Sequence, residues 1–167
     1  MNHHFELPGT YKKWTLGLLV VGLAALLWGF IMYHPFEHAG HGENINSTRF
    51  WAVLLQNSVY WLLVVNTSMF FICITTMAHG GWQVSLRRIP EAISSLVPIL
   101  GLITLVILIA LIFGNRTDIY HWLDKEAVNN DKILYGKKGF LSPGFFLIFS
   151  VISIGLWALI GKKMRSM

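Results

Sequence analysis

Asn57, Trp61, Val64, Ser68, Thr75 and His79 recur at three- and four-residue spacing within one long apolar run. At about 100° per residue such spacing draws a single stripe along a helix, and the rise from Asn57 to His79 is about 33 Å, close to a full bilayer crossing. Two kinds of chemistry fit. A row of carboxamide, hydroxyl and imidazole groups can line a water-filled half-channel or the wall of a quinone-adjacent cleft, or it can make the interhelical hydrogen bonds that hold a bundle together. Gln56 and Thr67 lie about 100° round from the stripe, which suits a helix surrounded by protein.

A second cluster is the turn His34-Pro35-Phe36-Glu37-His38-Ala39-Gly40-His41-Gly42-Glu43. Three imidazoles and two carboxylates can ligate a transition metal. However, Pro35, Gly40 and Gly42 oppose the helix that would align His34, His38 and His41, so no metal is expected there, and the turn reads as outer-face polar contacts or a partner surface. His121-Trp122, further along, has the same reading. A membrane b-haem needs two axial histidines facing each other inside helices, and only His79 stands even at the edge of an apolar run. Cys73 is the only cysteine, so no intrachain disulfide and no four-thiolate iron–sulfur cluster can form. Lys137-Lys138 lacks the glycine spacing of a phosphate loop. All eight carboxylates, Glu6, Glu37, Glu43, Glu91, Asp118, Asp124, Glu126 and Asp131, fall outside the apolar runs. No His–Asp pair of the kind that takes protons from a quinol is therefore available at membrane depth. No cofactor is expected on this chain.

Positioning these residues falls to helices in a bilayer. Of 167 residues 54% are hydrophobic and only 13% charged, and the mean hydropathy is +0.57, which argues against a soluble enzyme. Four apolar runs, about 14–33, 50–78, 93–113 and 144–160, are long enough to span, and Trp14, Tyr33, Trp51 and Trp82 stand near their ends, where amphipathic rings prefer the headgroup level. The expected architecture is an all-α integral membrane protein, a four-helix transmembrane bundle forming one domain over residues 1–167. Gly22, Ala25 and Gly29 give the first span a small-residue stripe for close packing. Pro90 suits the first turn of the third span, and Pro98 should bend it. In the 114–143 connection, Thr117-Asp118 can cap a short outer-face helix running through Ala127. The net charge of +5 belongs to membrane flanks, not nucleic acid, because Lys and Arg fall singly or in pairs beside the runs. With the N-terminus inside, the shorter inner segments hold Lys12, Lys13, Arg87, Arg88, Lys162, Lys163 and Arg165, and the longer outer ones Arg49, Arg116, Lys125, Lys132, Lys137 and Lys138. Both termini are expected on the cytoplasmic side.

Three segments carry a resemblance: Arg49-Phe50-Trp51-Ala52-Val53-Leu54-Leu55-Gln56-Asn57-Ser58, Tyr120-His121-Trp122, and Lys138-Gly139-Phe140-Leu141-Ser142-Pro143-Gly144-Phe145-Phe146. They resemble the ActF membrane subunits of alternative complex III, the bacterial quinol:electron-acceptor oxidoreductase. These subunits and their ActC paralogues are similar to the NrfD/PsrC family of polytopic membrane proteins. The resemblance implies a place in electron transport beside an ActC-like quinol-site subunit, a multihaem cytochrome c and an iron–sulfur subunit, with menaquinol, haem c and the clusters on those partners and a terminal oxidase downstream. Family members have more spans than four, so the chain resembles an N-terminal bundle of such a subunit. The role implied is structural support with or without a proton half-channel. The alternatives are a purely scaffolding anchor for the haem and iron–sulfur subunits, or a small transporter, for which no charged pore ring or inverted repeat is present.

The orientation is directly testable. Single cysteines introduced near Met1 and Met167 should both be labelled from the cytoplasmic side, and labelling from opposite faces would exclude an even number of crossings.

Overall fold

A computed structural model describes residues 8–33 and 45–165. It contains helices α1 (Gly9–Tyr33), α2 (Ile45–Met77), α3 (Gln83–Leu86), α4 (Arg88–Ser94), α5 (Val97–Phe113), α6 (Lys125–Asn130), α7 (Lys132–Gly136) and α8 (Pro143–Arg165), with a short 3-10 turn at His121–Leu123 and no strand among the described residues. Four stretches, Gly9–Tyr33, Ile45–Met77, Arg88–Phe113 and Pro143–Met164, are long and apolar enough to cross a membrane. The helices extend beyond the apolar runs because intrahelical hydrogen bonding continues into the interface, where charged side chains such as Lys12, Lys13 and Arg49 are solvated. Hydropathy marks only the portion within hydrocarbon.

The chain divides into two compact units, one to Phe50 and one from Trp51. In the first, no residue of α1 is buried. Phe50 packs edge-on against Phe30 at 5.1 Å between ring centroids and lies 6.2 Å from Tyr33. Gly29 admits this ring, since a Cβ there would meet Phe50 Cε2 at 3.0 Å.

The second unit is organised on α5. Val97, Gly101, Thr104, Leu108 and Leu111 are buried at alternating three- and four-residue steps, with Ile107 and Ile112 beside them. That is the seam of a helix packed along its length. Its most extensive neighbour is α8. Gly101 lies against Ile154, and any Cβ at 101 would overlap the Ile154 Cγ2 methyl. The Cys73 thiol meets the Met164 thioether at 3.1 Å. This brings the C-terminal end of α8 to that of α2 and, through the short 78–87 connection, to the start of α4, so α5 and α8 run antiparallel. On the part of α2 in this unit the buried side chains are Trp51, Leu62, Val65, Met69, Ile72 and Thr75.

The helix is interrupted two to three residues before Pro98. The third span is broken between α4 and α5 at Ser95-Leu96. Proline has no N–H to give the carbonyl four residues back, and its ring crowds that turn. The backbone there tightens, with Leu96 N–H donating to Ile93 O at 3.1 Å, while Ser94 Oγ and Ser95 Oγ donate to Glu91 O (2.9 Å) and Ala92 O (2.6 Å). Pro90 is in the first turn of α4, as its missing donor favours.

The helix expected from Thr117 to Ala127 is not formed. Residues 117–119 are turns, and two shorter helices follow, α6 capped by Asp124 and α7 by Asp131. The reason lies at the end of α5. Arg116 N–H donates to Leu111 O at 3.2 Å and Asn115 N–H to Ile112 O at 3.1 Å, with Asn115 left-handed at φ 46°. This paired closure commits Arg116 and Thr117 to a turn, so the next free carboxylates, Asp124 and Asp131, take the caps. They accept from Glu126 N–H (2.9 Å) and Ile133 N–H (2.8 Å).

Gly101→Ala should destabilise the chain. Overpacking against a χ1-restricted isoleucine costs about 1–3 kcal/mol, more than the roughly 1 kcal/mol that alanine's helix propensity returns. Ile154→Ala should cost less in the Gly101→Ala background than in the wild type. Thermal unfolding of the four proteins in one detergent measures the cycle; additive changes would mean the two side chains do not touch.

Candidate functional site

On α2 the residues Trp61, Val64 and Ser68 each immediately precede a buried residue, Leu62, Val65 and Met69. The stripe thus lies about 100° away from the packed face. Asn57 and Trp61 are exposed, Ser68 is half-buried, and Thr75, on the same helical face as Asn57, is 5% exposed. The face that is bare at one end is covered at the other. Gln56 and Thr67 are also exposed, so neither α5 nor α8 covers this flank.

His79 is not part of the stripe. The helix ends at Met77, and His79 occupies a left-handed position at φ 50°. Gly80 N–H donates to Thr75 O at 3.3 Å and His79 N–H to Thr76 O at 3.2 Å, the same paired closure that ends α5. Its ring Nδ1 is 3.0 Å from Met77 O. Gly80-Gly81 favours such an exit, and histidine is among the residues that tolerate it.

The hydroxyls and the amide are spent locally. Asn57 Nδ2 donates to Val53 O (2.9 Å), Thr67 Oγ1 to Leu63 O (2.8 Å), Ser68 Oγ to Val64 O (3.3 Å), Thr75 Oγ1 to Phe71 O (2.8 Å) and Thr76 Oγ1 to Ile72 O (2.7 Å). Each donor returns to its own helix four residues back, which leaves oxygen lone pairs as the outward-facing function. Asn57 to Ser68 spans a rise of about 16 Å and Ser68 to Thr75 about 10 Å, well beyond hydrogen-bond reach. These side chains form no continuous relay by themselves.

One polar group has no such solution. Asn66 Oδ1 is buried in mid-helix with no hydrogen-bond partner among the described residues. Asn66 lies about 180° round the helix from Asn57, on the far side of the apolar seam from the polar stripe.

Among the partner-facing residues of the 114–143 connection, His121 is exposed, whereas Trp122 is half-buried in a ring cluster with Tyr120 and Phe146, at centroid separations of 5.5 and 5.9 Å around the trio. The cluster fixes the connection to the first turn of α8. Burial raises the Tyr120 phenol pKa above its ordinary 10.0. His34, His38 and His41 lie outside the described residues. Among the described residues, no three His, Cys, Asp or Glu side chains converge in a way that could hold a metal ion. An open groove lined by Thr10, Lys13, Trp14, Gly17, Leu18 and Val21 runs along one face of α1 and includes none of the stripe.

No protein-family model, curated protein or solved structure matches this chain. The site is therefore defined by its own geometry: a back-bonded polar flank on a membrane helix, one buried carboxamide oxygen, and an aromatic clamp at the head of α8.

Asn66→Leu tests the buried oxygen. Leaving a buried acceptor unpaired costs about 1–3 kcal/mol, and leucine removes that cost with similar volume. The variant should unfold at higher temperature in detergent, while a loss of stability would show that the amide has a partner.

Proposed function

We propose that this chain is a membrane-integral subunit of a multi-subunit respiratory quinol-oxidising complex, to which it contributes helix-packing surface and structural support. One observation carries the reading: the Gln56, Asn57 and Thr67 flank of α2 is uncovered by α5 or α8. Polar side chains at that depth are poorly tolerated against acyl chains, even with their donors turned inward, so the flank favours cover by further protein. The resemblance of Arg49–Ser58, Tyr120–Trp122 and Lys138–Phe146 to ActF subunits supports alternative complex III as the assembly, in the bacterial inner membrane. Quinol oxidation and electron transfer then belong to the ActC-like, cytochrome c and iron–sulfur partners.

A scaffolding role is favoured over a proton half-channel by the local hydrogen bonds. Ser68 and Thr75 direct their hydroxyl protons back to Val64 and Phe71, and the axial gaps between them exceed any direct transfer distance. A half-channel along this flank requires water between each pair.

Affinity purification from a native membrane should recover haem-bearing partners, and quinol-oxidising activity should follow the complex. Ser68→Ala and Thr75→Val should change assembly and turnover together or leave both unchanged. Reduced turnover with assembly and haem content intact would favour the half-channel. Recovery of the chain without any haem- or cluster-bearing partner, or a haem spectrum from the chain alone, would refute the reading.

A further inference from the structure

The groove along α1 is shaped by one missing side chain. Gly17 forms its floor, where a Cβ would meet nothing within 4 Å. Lys13 and Val21 stand about one turn to either side of it, and Trp14 and Leu18 wall one flank. Because the positions four residues away are lysine and valine, the small-xxx-small spacing that lets two membrane helices approach is absent. A notch one residue wide instead fits a single hydrocarbon chain.

The N-terminal end of the groove is polar. Thr10 and Lys13 line it, and neither has a hydrogen-bond or ion-pair partner among the described residues. No Asp or Glu occurs among the described residues of this unit. Helical side chains lean toward the N-terminus, which lays the Lys13 methylenes along the groove and carries the ammonium toward the level of Thr10. Trp14 opens the apolar run, with its ring exposed as suits the headgroup boundary. From Thr10 to Val21 the rise is about 16 Å, within the roughly 20 Å of one leaflet with its headgroups. The groove therefore has the polarity and the length of one lipid chain with its head.

We propose that this groove is a binding site for an anionic phospholipid, its phosphate at Lys13 and Thr10 and one acyl chain laid over Gly17 toward Val21. Charge complementarity selects the headgroup, since a cation without a nearby carboxylate faces it. The apolar floor selects a lipid over free phosphate, which would leave Gly17, Leu18 and Val21 bare. This inference rests on the membrane placement alone and stands apart from the respiratory reading.

The full chain is reconstituted in phosphatidylcholine nanodiscs with a trace of phosphatidylglycerol or phosphatidylcholine carrying a diazirine on one acyl chain, and photoadducts are mapped by peptide mass spectrometry. Over residues 17–21 the phosphatidylglycerol probe should label about fivefold more than the phosphatidylcholine probe, as one cation at a membrane surface provides. The excess should shrink as salt rises, yield to unlabelled phosphatidylglycerol, and persist in millimolar inorganic phosphate at matched ionic strength. Lys13→Gln should abolish it, whereas Arg88→Gln, which removes equal charge from the second unit, should preserve it. Gly17→Leu fills open space and should lower labelling by both probes. Equal labelling by the two probes, displacement by inorganic phosphate, or equal losses in Lys13→Gln and Arg88→Gln would overturn the site. So would an absence of adducts over residues 17–21, the result expected if a protein helix covers the groove. The probe, salt and competitor arms use the unaltered protein, so a variant that misfolds cannot decide the outcome.

Discussion

Hydrocarbon neither donates nor accepts hydrogen bonds, and that constraint organises this chain more than any pairwise contact. It dictates helices of 22 to 33 residues for the four apolar stretches. It also explains why Asn57, Thr67, Ser68, Thr75 and Thr76 turn their donors onto carbonyls of their own helix. The same constraint acts at the ends of the spans. Both α2 and α5 close with a left-handed residue and two reversed hydrogen bonds, which satisfy carbonyls that would otherwise face the interface bare.

Within that constraint α5 serves as the hub of the second unit because its polarity is lowest and its small residue is placed where a neighbour's side chain must enter. Gly101 receives Ile154, and the buried Thr104 returns its hydroxyl to Leu100 O at 2.9 Å, so neither interrupts the seam. The break at Ser95-Leu96 relieves the absent donor of Pro98 before the packed part begins. The break thus falls inside the third membrane-length stretch, between α4 and α5, with Arg87 and Arg88 at the other end of α4.

Apolar run length made the four spans legible in the sequence, and Pro98 pointed to the turn at which α4 gives way to α5. The ends of the elements were harder to read. His79 continues the helical arithmetic of the stripe but leaves the helix, because the glycines that follow permit a left-handed exit that periodicity does not register. Thr117-Asp118 is a sound capping pair in isolation, yet the closure around Asn115 consumes its backbone, and Asp124 and Asp131 take over. Side-chain spacing along α2 gave a stripe, but not which way it faced. That is set by the burial of Leu62, Val65, Met69 and Ile72, a tertiary property. Asn66 is legible in the sequence as a polar residue of this span, but its burial opposite the stripe is again a tertiary property.

The two ends of the second unit differ in how their charges are used, and this difference bears on what each can bind. In the 114–143 connection Asp124 and Asp131 are bound to backbone N–H groups at helix starts, so their charge is directed into the fold, and the Tyr120, Trp122 and Phe146 rings hold that connection against α8. Its lysines alternate with these acids, which leaves a surface of mixed sign. At the opposite end cations come from α4, α8 and the 78–87 connection, and Glu91, the one carboxylate there among the described residues, is held by Arg87. The first end therefore presents groups of mixed sign already committed to the fold, whereas the second presents cations beside the exposed apolar side chains of Val84, Leu86 and Ile89.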